Sequence, residues 1–364
     1  MPGSPPRATV FYPALHALRG FAALWVMLFH VWFFSGERHM PFGVDAVFRH
    51  GWVGVHLFYA LSAFLLTSHL LKSQKPRYGA FFLRRFLRIY PAYWAQLTVL
   101  LLIGGVFALD AGVAWRYWPE HLLMAFNLPP RFVTPLNGVW WTLPIEFLFY
   151  LLLPALLWCL RRTGMATFLL LAMAATVLFR WSLFHLLGEA PVALIEQLPG
   201  VLSVFAAGMV AAAVLARHSL RLPRWAAPLA LGAMGLWAWP LLADPEGYWN
   251  GSPLLFTWGS VNALLIALLL LSVYDRGRNT AGWRLLVWLG ETSYGIYLWH
   301  LPVILGLLQF APVLGSSFSA LLIAATPPTL VLAWLSLRMV ERPAIRLGRR
   351  LSARPAEPPS GAGD

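Results

Sequence analysis

Arg19 and His30 stand eleven residues apart in Leu18-Arg19-Gly20-Phe21-Ala22-Ala23-Leu24-Trp25-Val26-Met27-Leu28-Phe29-His30, a stretch that is otherwise apolar. At about 100° per residue this separation is three turns plus about 20°, with a rise of about 16 Å. A helix therefore points both side chains the same way. A membrane helix must neutralise, bury or hydrate any ionisable group it carries, which makes such groups functional candidates. The imidazole can move a proton, and the guanidinium can grip an anion.

Three further constellations could do chemistry. Arg85 and Arg88 fall at i, i+3 in Leu83-Arg84-Arg85-Phe86-Leu87-Arg88-Ile89-Tyr90-Pro91, so their forks share a helix face. That pair suits a bidentate grip on a pyrophosphate or 3′-phosphate, and equally an anchor on lipid phosphate. Glu146 is a carboxylate in the apolar run Trp141-Thr142-Leu143-Pro144-Ile145-Glu146-Phe147-Leu148-Phe149-Tyr150, with Tyr150 one turn further on. Counted from the span ends, Glu146 and His30 reach compatible depths, so a Glu146–His30 pair that orients the imidazole is expected. A structural ion pair or hydrogen bond is the plainer alternative. Ser293, Tyr297 and His300 form a polar stripe at i, i+4, i+7, which serves helix packing as readily as catalysis.

The elements that position these residues follow from composition. Hydrophobic residues make up 59% of the chain and charged residues only 11%, about half the charge of a soluble protein. Apolar runs of about 20 residues recur throughout, which predicts an all-α, polytopic membrane protein. Gly, Pro and charge clusters delimit ten spans, near 12–34, 51–71, 89–109, 138–160, 165–187, 199–216, 225–242, 254–274, 288–310 and 318–340. With the N-terminus in the cytoplasm, only Arg38, Arg49, Arg116, Arg131 and Arg180 of the 27 Lys and Arg stay outside, which predicts N-in and C-in. The pI of 10.6 is then the signature of basic inner loops beside anionic lipid, not of nucleic-acid binding.

Arg19 interrupts the first apolar run and no small-residue cleavage site follows it, so that run is expected to stay as a span rather than leave as a signal peptide. The outer segment 110–137, rich in Trp, Pro and Asn, is read either as a folded cap over an outward mouth or as an interfacial aromatic belt. Residues 341–364 form a basic, Pro-rich segment expected to be a disordered cytoplasmic tail. Cys159 is the sole cysteine, so no internal disulfide can form. H-E-x-x-H, C-x-x-C, P-loop and dinucleotide glycine motifs are missing from the sequence, and metal, NTP and nicotinamide chemistry are not expected.

Taken in order, these motifs resemble acyltransferase family 3, the polytopic membrane O-acylases of bacterial polysaccharides, peptidoglycan and related glycans. The resemblance rests on the Arg-x10-His first helix and Gly54-Val55-His56-Leu57-Phe58-Tyr59-Ala60-Leu61-Ser62-Ala63-Phe64. It extends through Arg85-x-x-Arg88, Trp141 to Tyr150, Ser293 to His300, and Val340-Glu341-Arg342-Pro343, covering about residues 12–343. It implies a membrane acyltransferase domain over 1–340 in a multi-pass protein of the bacterial inner membrane. The implied reaction moves an acyl, most simply an acetyl, group from cytoplasmic acyl-CoA to a hydroxyl of a carbohydrate or glycolipid acceptor. Acyl-CoA is then a co-substrate, with no bound cofactor and no metal.

Carried over by position, His30 and Glu146 are the catalytic pair, His30 as base and Glu146 steadying the imidazolium. Arg19, Arg85 and Arg88 hold the CoA phosphates, and Tyr150, His56 and His300 complete the substrate-binding set. Two departures stand out, since the family often has Val-Asp-Leu-Phe-Phe and Ser-Gly-Phe where this chain has His56 and Ala63. A glycan-precursor transporter or flippase lined by the same residues is the alternative, and the lack of internal repeats weighs mildly against it.

Overall fold

Apolar runs with no other way to satisfy their backbone in lipid fold as helices. The computed structural model describes residues 12–36, 40, 43–73, 76–128, 132–189, 191–218, 220–243, 250–276 and 281–353. Its long helices are α1 (Pro13–Phe34), α2 (Gly54–Leu71), α3 (Tyr78–Ile103), α4 (Thr142–Thr163) and α5 (Met165–Leu187). They continue with α6 (Leu202–Arg217), α7 (Ala226–Ala243), α8 (Pro253–Val273), α9 (Ala281–Phe310) and α10 (Phe318–Ser336). Among the described residues there is no strand. Nine helical stretches there are long and apolar enough to cross a membrane, and α7 contributes a shorter apolar helix over Ala226–Leu241. The expected all-α polytopic fold is what the chain adopts.

The fifth expected span coincides with α5. Two helices begin earlier than expected, α3 at Tyr78 instead of 89 and α9 at Ala281 instead of 288. Arginine is a good helix former whose stem can carry its charge toward an interface, so Arg84, Arg85 and Arg88 extend α3 rather than end it. The end of the chain also departs from expectation. α10 passes through a π-helical turn, Leu337–Glu341, into α11 (Arg342–Leu351), so residues 342–353 are ordered. Pro343 sits in the first turn of α11, where its missing N–H costs nothing. Arg84 Nη1 donates to Ser352 Oγ at 3.1 Å and fastens α11 to α3. Residues 354–364 of the expected tail, with Arg38 and Arg131, lie outside the described residues.

α1 and α9, which carry His30 and His300, meet through glycines. A Cβ on Gly290 would stand 1.9 Å from the His16 carbonyl oxygen, and one on Gly20 would stand 2.8 Å from the Gly290 nitrogen. Without a hydrophobic drive between helices in lipid, such small residues let backbones approach closely enough to pack. Near His300, Pro302 has no N–H to offer the Leu298 carbonyl four residues back. Gln96 Nε2 and Asn137 Nδ2 donate to that oxygen instead, at 2.6 and 2.9 Å, and Trp140 Nε1 donates to Gln96 Oε1 at 2.8 Å. The gap in the α9 ladder thereby becomes a joint to α3 and to the turn preceding α4.

The 110–137 segment is folded, with short helices Ala111–Arg116 and Trp118–Leu122. Tyr90 Oη and Trp94 Nε1 donate to the Leu123 and Leu122 carbonyls at 2.9 Å each, docking it on α3. Trp115 and Trp118 remain exposed, as an interfacial belt requires. The described residues of the segment do not line the large cavity described next, and they buttress α3.

Candidate active site

α1, α2, α3, α4 and α9 surround a cavity of about 50 Å³ lined by Arg19, Ser62, Arg85, Arg88, Glu146 and Tyr150. Ser62 Oγ donates to Glu146 Oε1 at 2.5 Å, and the Tyr150 hydroxyl donates to the same oxygen. Arg88 Nη1 lies 3.5 Å from Glu341 Oε2, the carboxylate that the π-helical turn carries inward. The Nε atoms of Arg19 and Arg85 are buried without a hydrogen-bond partner. Buried donors left unmade cost about 1–3 kcal/mol each, more when charged, so such a cluster is chemically suited to an anion. Phosphate oxygens match guanidinium forks in charge and spacing.

The opposite end of α1 faces a larger cavity, of about 360 Å³, lined by His30, His50, His56, Trp52, Tyr297 and Glu196 among others. Each of its three imidazoles has one nitrogen tied down. His30 Nδ1 is 2.9 Å from the Val26 carbonyl, and His50 Nδ1 is 3.1 Å from the Ala46 carbonyl. A carbonyl only accepts, so the hydrogen-bond pattern assigns the proton to Nδ1 and leaves each Nε2 as a lone pair. His300 is set in the same way by the Ile296 carbonyl at 2.9 Å. Its Nε2 lies 3.2 Å from His30 Nδ1 and accepts a share of that hydrogen, so His300 supports His30.

His56 is the inverse case. Its Nε2 lies 3.1 Å from Glu196 Oε2, while Glu196 Oε1 accepts from Arg180 Nη2 at 2.6 Å. Arg180 also donates to the Gly200 and Leu255 carbonyls, at 2.7 and 3.2 Å. Burial pushes the Glu196 carboxyl up, but Arg180 and His56 together outweigh it and hold the group at about 2. An ionised carboxylate only accepts, so Nε2 of His56 carries the proton. Its Nδ1 is buried with no partner.

A third cavity, of about 40 Å³, lies between the two ends. It shares Arg19, Glu146 and Tyr294 with the arginine cavity, and Val55 and Tyr297 with the histidine cavity. The three spaces thus follow α1 from Arg19 to His30. Tyr297 is held at the upper junction, donating to the Val139 carbonyl at 2.7 Å with Thr142 Oγ1 at 2.8 Å.

The structure corrects one expected pair. Glu146 bonds to Ser62 and Tyr150 beside Arg19, not to His30, whose partners are Val26 and His300. Depth counted along two helices does not fix the side of the bundle toward which each side chain turns. Along the Ser293 stripe, Ser293 bonds back to the Gly290 carbonyl and lines the middle cavity with Tyr297, while His300 reaches His30. Arg180 and Glu196 were missed as site residues. Arg180 is an ionisable group within a long apolar run, the same signal that singles out Arg19, although the charge partition reads it only as an outer charge. Glu196, in the connection between α5 and α6, gave no periodic signal at all.

No solved structure matches the chain. The chain is 30% identical to Acyltransferase MdmB of Streptomyces mycarofaciens, over 98% of this chain and 97% of that protein. It is 29% identical to Nodulation protein 10 of Rhizobium leguminosarum bv. viciae, over 93% and 94% of the two chains. With Peptidoglycan O-acetyltransferase OatA of Listeria monocytogenes it shares 24% identity over 92% of this chain, and there it spans only 56% of the relative. The Acyltransferase domain family matches residues 12–338, nearly the whole helical bundle, and this multi-pass chain belongs to it.

Proposed function

We propose that the protein is a membrane O-acyltransferase that moves an acyl group, most simply acetyl, from acyl-CoA to a hydroxyl of a carbohydrate or glycosylated acceptor. The observation that carries this reading is the line of cavities from a phosphate-suited arginine cluster to the open Nε2 of His30. CoA phosphates lie against Arg19, Arg85 and Arg88, and the acyl end of the pantetheine arm reaches past Tyr297. The acceptor occupies the 360 Å³ cavity, the only one of the three with room for a sugar ring. The name of the peptidoglycan-acetylating relative supports a carbohydrate acceptor. Placing the arginine end in the cytoplasm of an inner-membrane protein, with both termini inside, follows from the charge partition.

Purified protein in lipid nanodiscs should consume labelled acetyl-CoA when membranes supply acceptor. A transporter or flippase would leave the label on CoA, and that result would overturn the proposal.

Donor binding has its own test. Lysine keeps the charge of Arg85 or Arg88 but loses the fork, and at position 88 it still pairs with Glu341. Losing one charge-assisted contact costs about 1.5–3 kcal/mol, so Arg85→Lys or Arg88→Lys should raise KM for acetyl-CoA by roughly tenfold or more. The fall in kcat should be smaller. Steady-state kinetics checks this, and an unchanged KM in both variants would move the donor site elsewhere.

A further inference from the structure

Of the three imidazoles in the large cavity, only His56 is held by a carboxylate. His30 and His50 are fixed by backbone carbonyls. Both kinds of partner select a tautomer, but only an ionised carboxylate carries a full charge to stabilise the imidazolium that forms when the other nitrogen takes a proton. Glu196 is itself locked by Arg180, which is anchored on two carbonyls, so the carboxylate cannot swing away. The remaining nitrogen of His56, Nδ1, is buried with no hydrogen-bond partner, and the side chain borders a cavity large enough for a sugar. An unpaired nitrogen there is costly until a hydroxyl docks against it.

We propose that His56 is the acceptor-side base of this cavity and that Glu196 is the residue that positions it. This rests on the acyltransferase reading above. It divides the work between two histidines.

His30 Nε2 attacks the thioester carbonyl, a C–N bond forms, the C–S bond breaks, and CoA leaves as a thiolate that takes a proton from water. The acceptor hydroxyl then gives its proton to His56 Nδ1 as its oxygen attacks the acyl carbon. The C–O bond forms, the C–N bond breaks, and neutral His30 is restored. The His56 imidazolium returns its proton to water in the cavity.

His56→Gln separates this role from a structural one. The glutamine amide can still donate to Glu196 and keep the buried Arg180 pair satisfied, but it cannot accept a proton. Membranes of the cells that make the protein supply the native acceptor, and [14C]acetyl-CoA is the probe. Wild-type protein should place label in acceptor material. His56→Gln should release CoA in a burst of about one per protein while incorporation falls by about 10²–10⁴-fold. Glu196→Gln should keep the burst and lower incorporation, because a side-chain amide no longer fixes the His56 tautomer.

Incorporation by His56→Gln within a few-fold of wild type would show a merely structural histidine and overturn the proposal. Loss of the burst together with incorporation, in folded protein, would also overturn it. Unchanged incorporation in Glu196→Gln would remove Glu196 from its role. If wild-type protein neither releases CoA nor transfers label, the acyltransferase reading fails first.

Discussion

His30→Ala is expected to lower acyl transfer by at least about 10²–10⁴-fold while abundance and acetyl-CoA affinity stay near wild type. The histidine lines the large cavity, and its free Nε2 is the nitrogen that the proposed reaction presents to the acyl carbonyl. The arginine cluster lies about 16 Å away along α1, so removing the imidazole leaves donor phosphates their partners. His300→Ala should be milder, since it removes only a second acceptor for a hydrogen that the Val26 carbonyl still takes. Initial rates with labelled acetyl-CoA, beside a direct measurement of its binding, check both variants. Full transfer by His30→Ala would remove that histidine from the chemistry.

A single methyl group at Gly290 should cause a large loss of stability. In Gly290→Ala the new Cβ would lie 1.9 Å from the His16 carbonyl oxygen, a backbone atom that cannot rotate aside. Relief requires α1 and α9 to separate, and that seam also aligns His30 with His300. Overpacking costs about 1–3 kcal/mol where side chains can yield, and here the helices themselves must move. Gly232→Ala is the matched control, because nothing lies within 4 Å of a Cβ there. Thermal unfolding of the solubilised protein should show a large drop for the first and almost none for the second. Equal midpoints would mean that the seam yields freely.

How much of this was legible in the sequence depends on the range of the interaction. The α5 limits and the shared line of Arg19 and His30 follow from hydropathy and helical period, both properties of one helix. The start of α3 does not, because a cluster of charges resembles a boundary although arginine extends a helix well. Partners between distant elements were invisible. Glu146 turns to Ser62 on α2, and His56 finds Glu196 across 140 residues, and no local pattern encodes either choice. Glu341 was noted as part of a terminal motif, but only the π-helical turn shows why its carboxylate reaches Arg88.

The small volume of the middle cavity has an electrical meaning. A channel permanently wide enough for a pantetheine arm would hold a continuous file of water. Each proton crossing 100 mV through it would dissipate about 2.3 kcal/mol. At about 40 Å³, bordered by Phe58, Leu143 and Tyr297, the middle cavity is too small to hold one. On the proposed reaction the helices part only around the arm itself, so the substrate that opens the bilayer to chemistry also insulates it against ion leak.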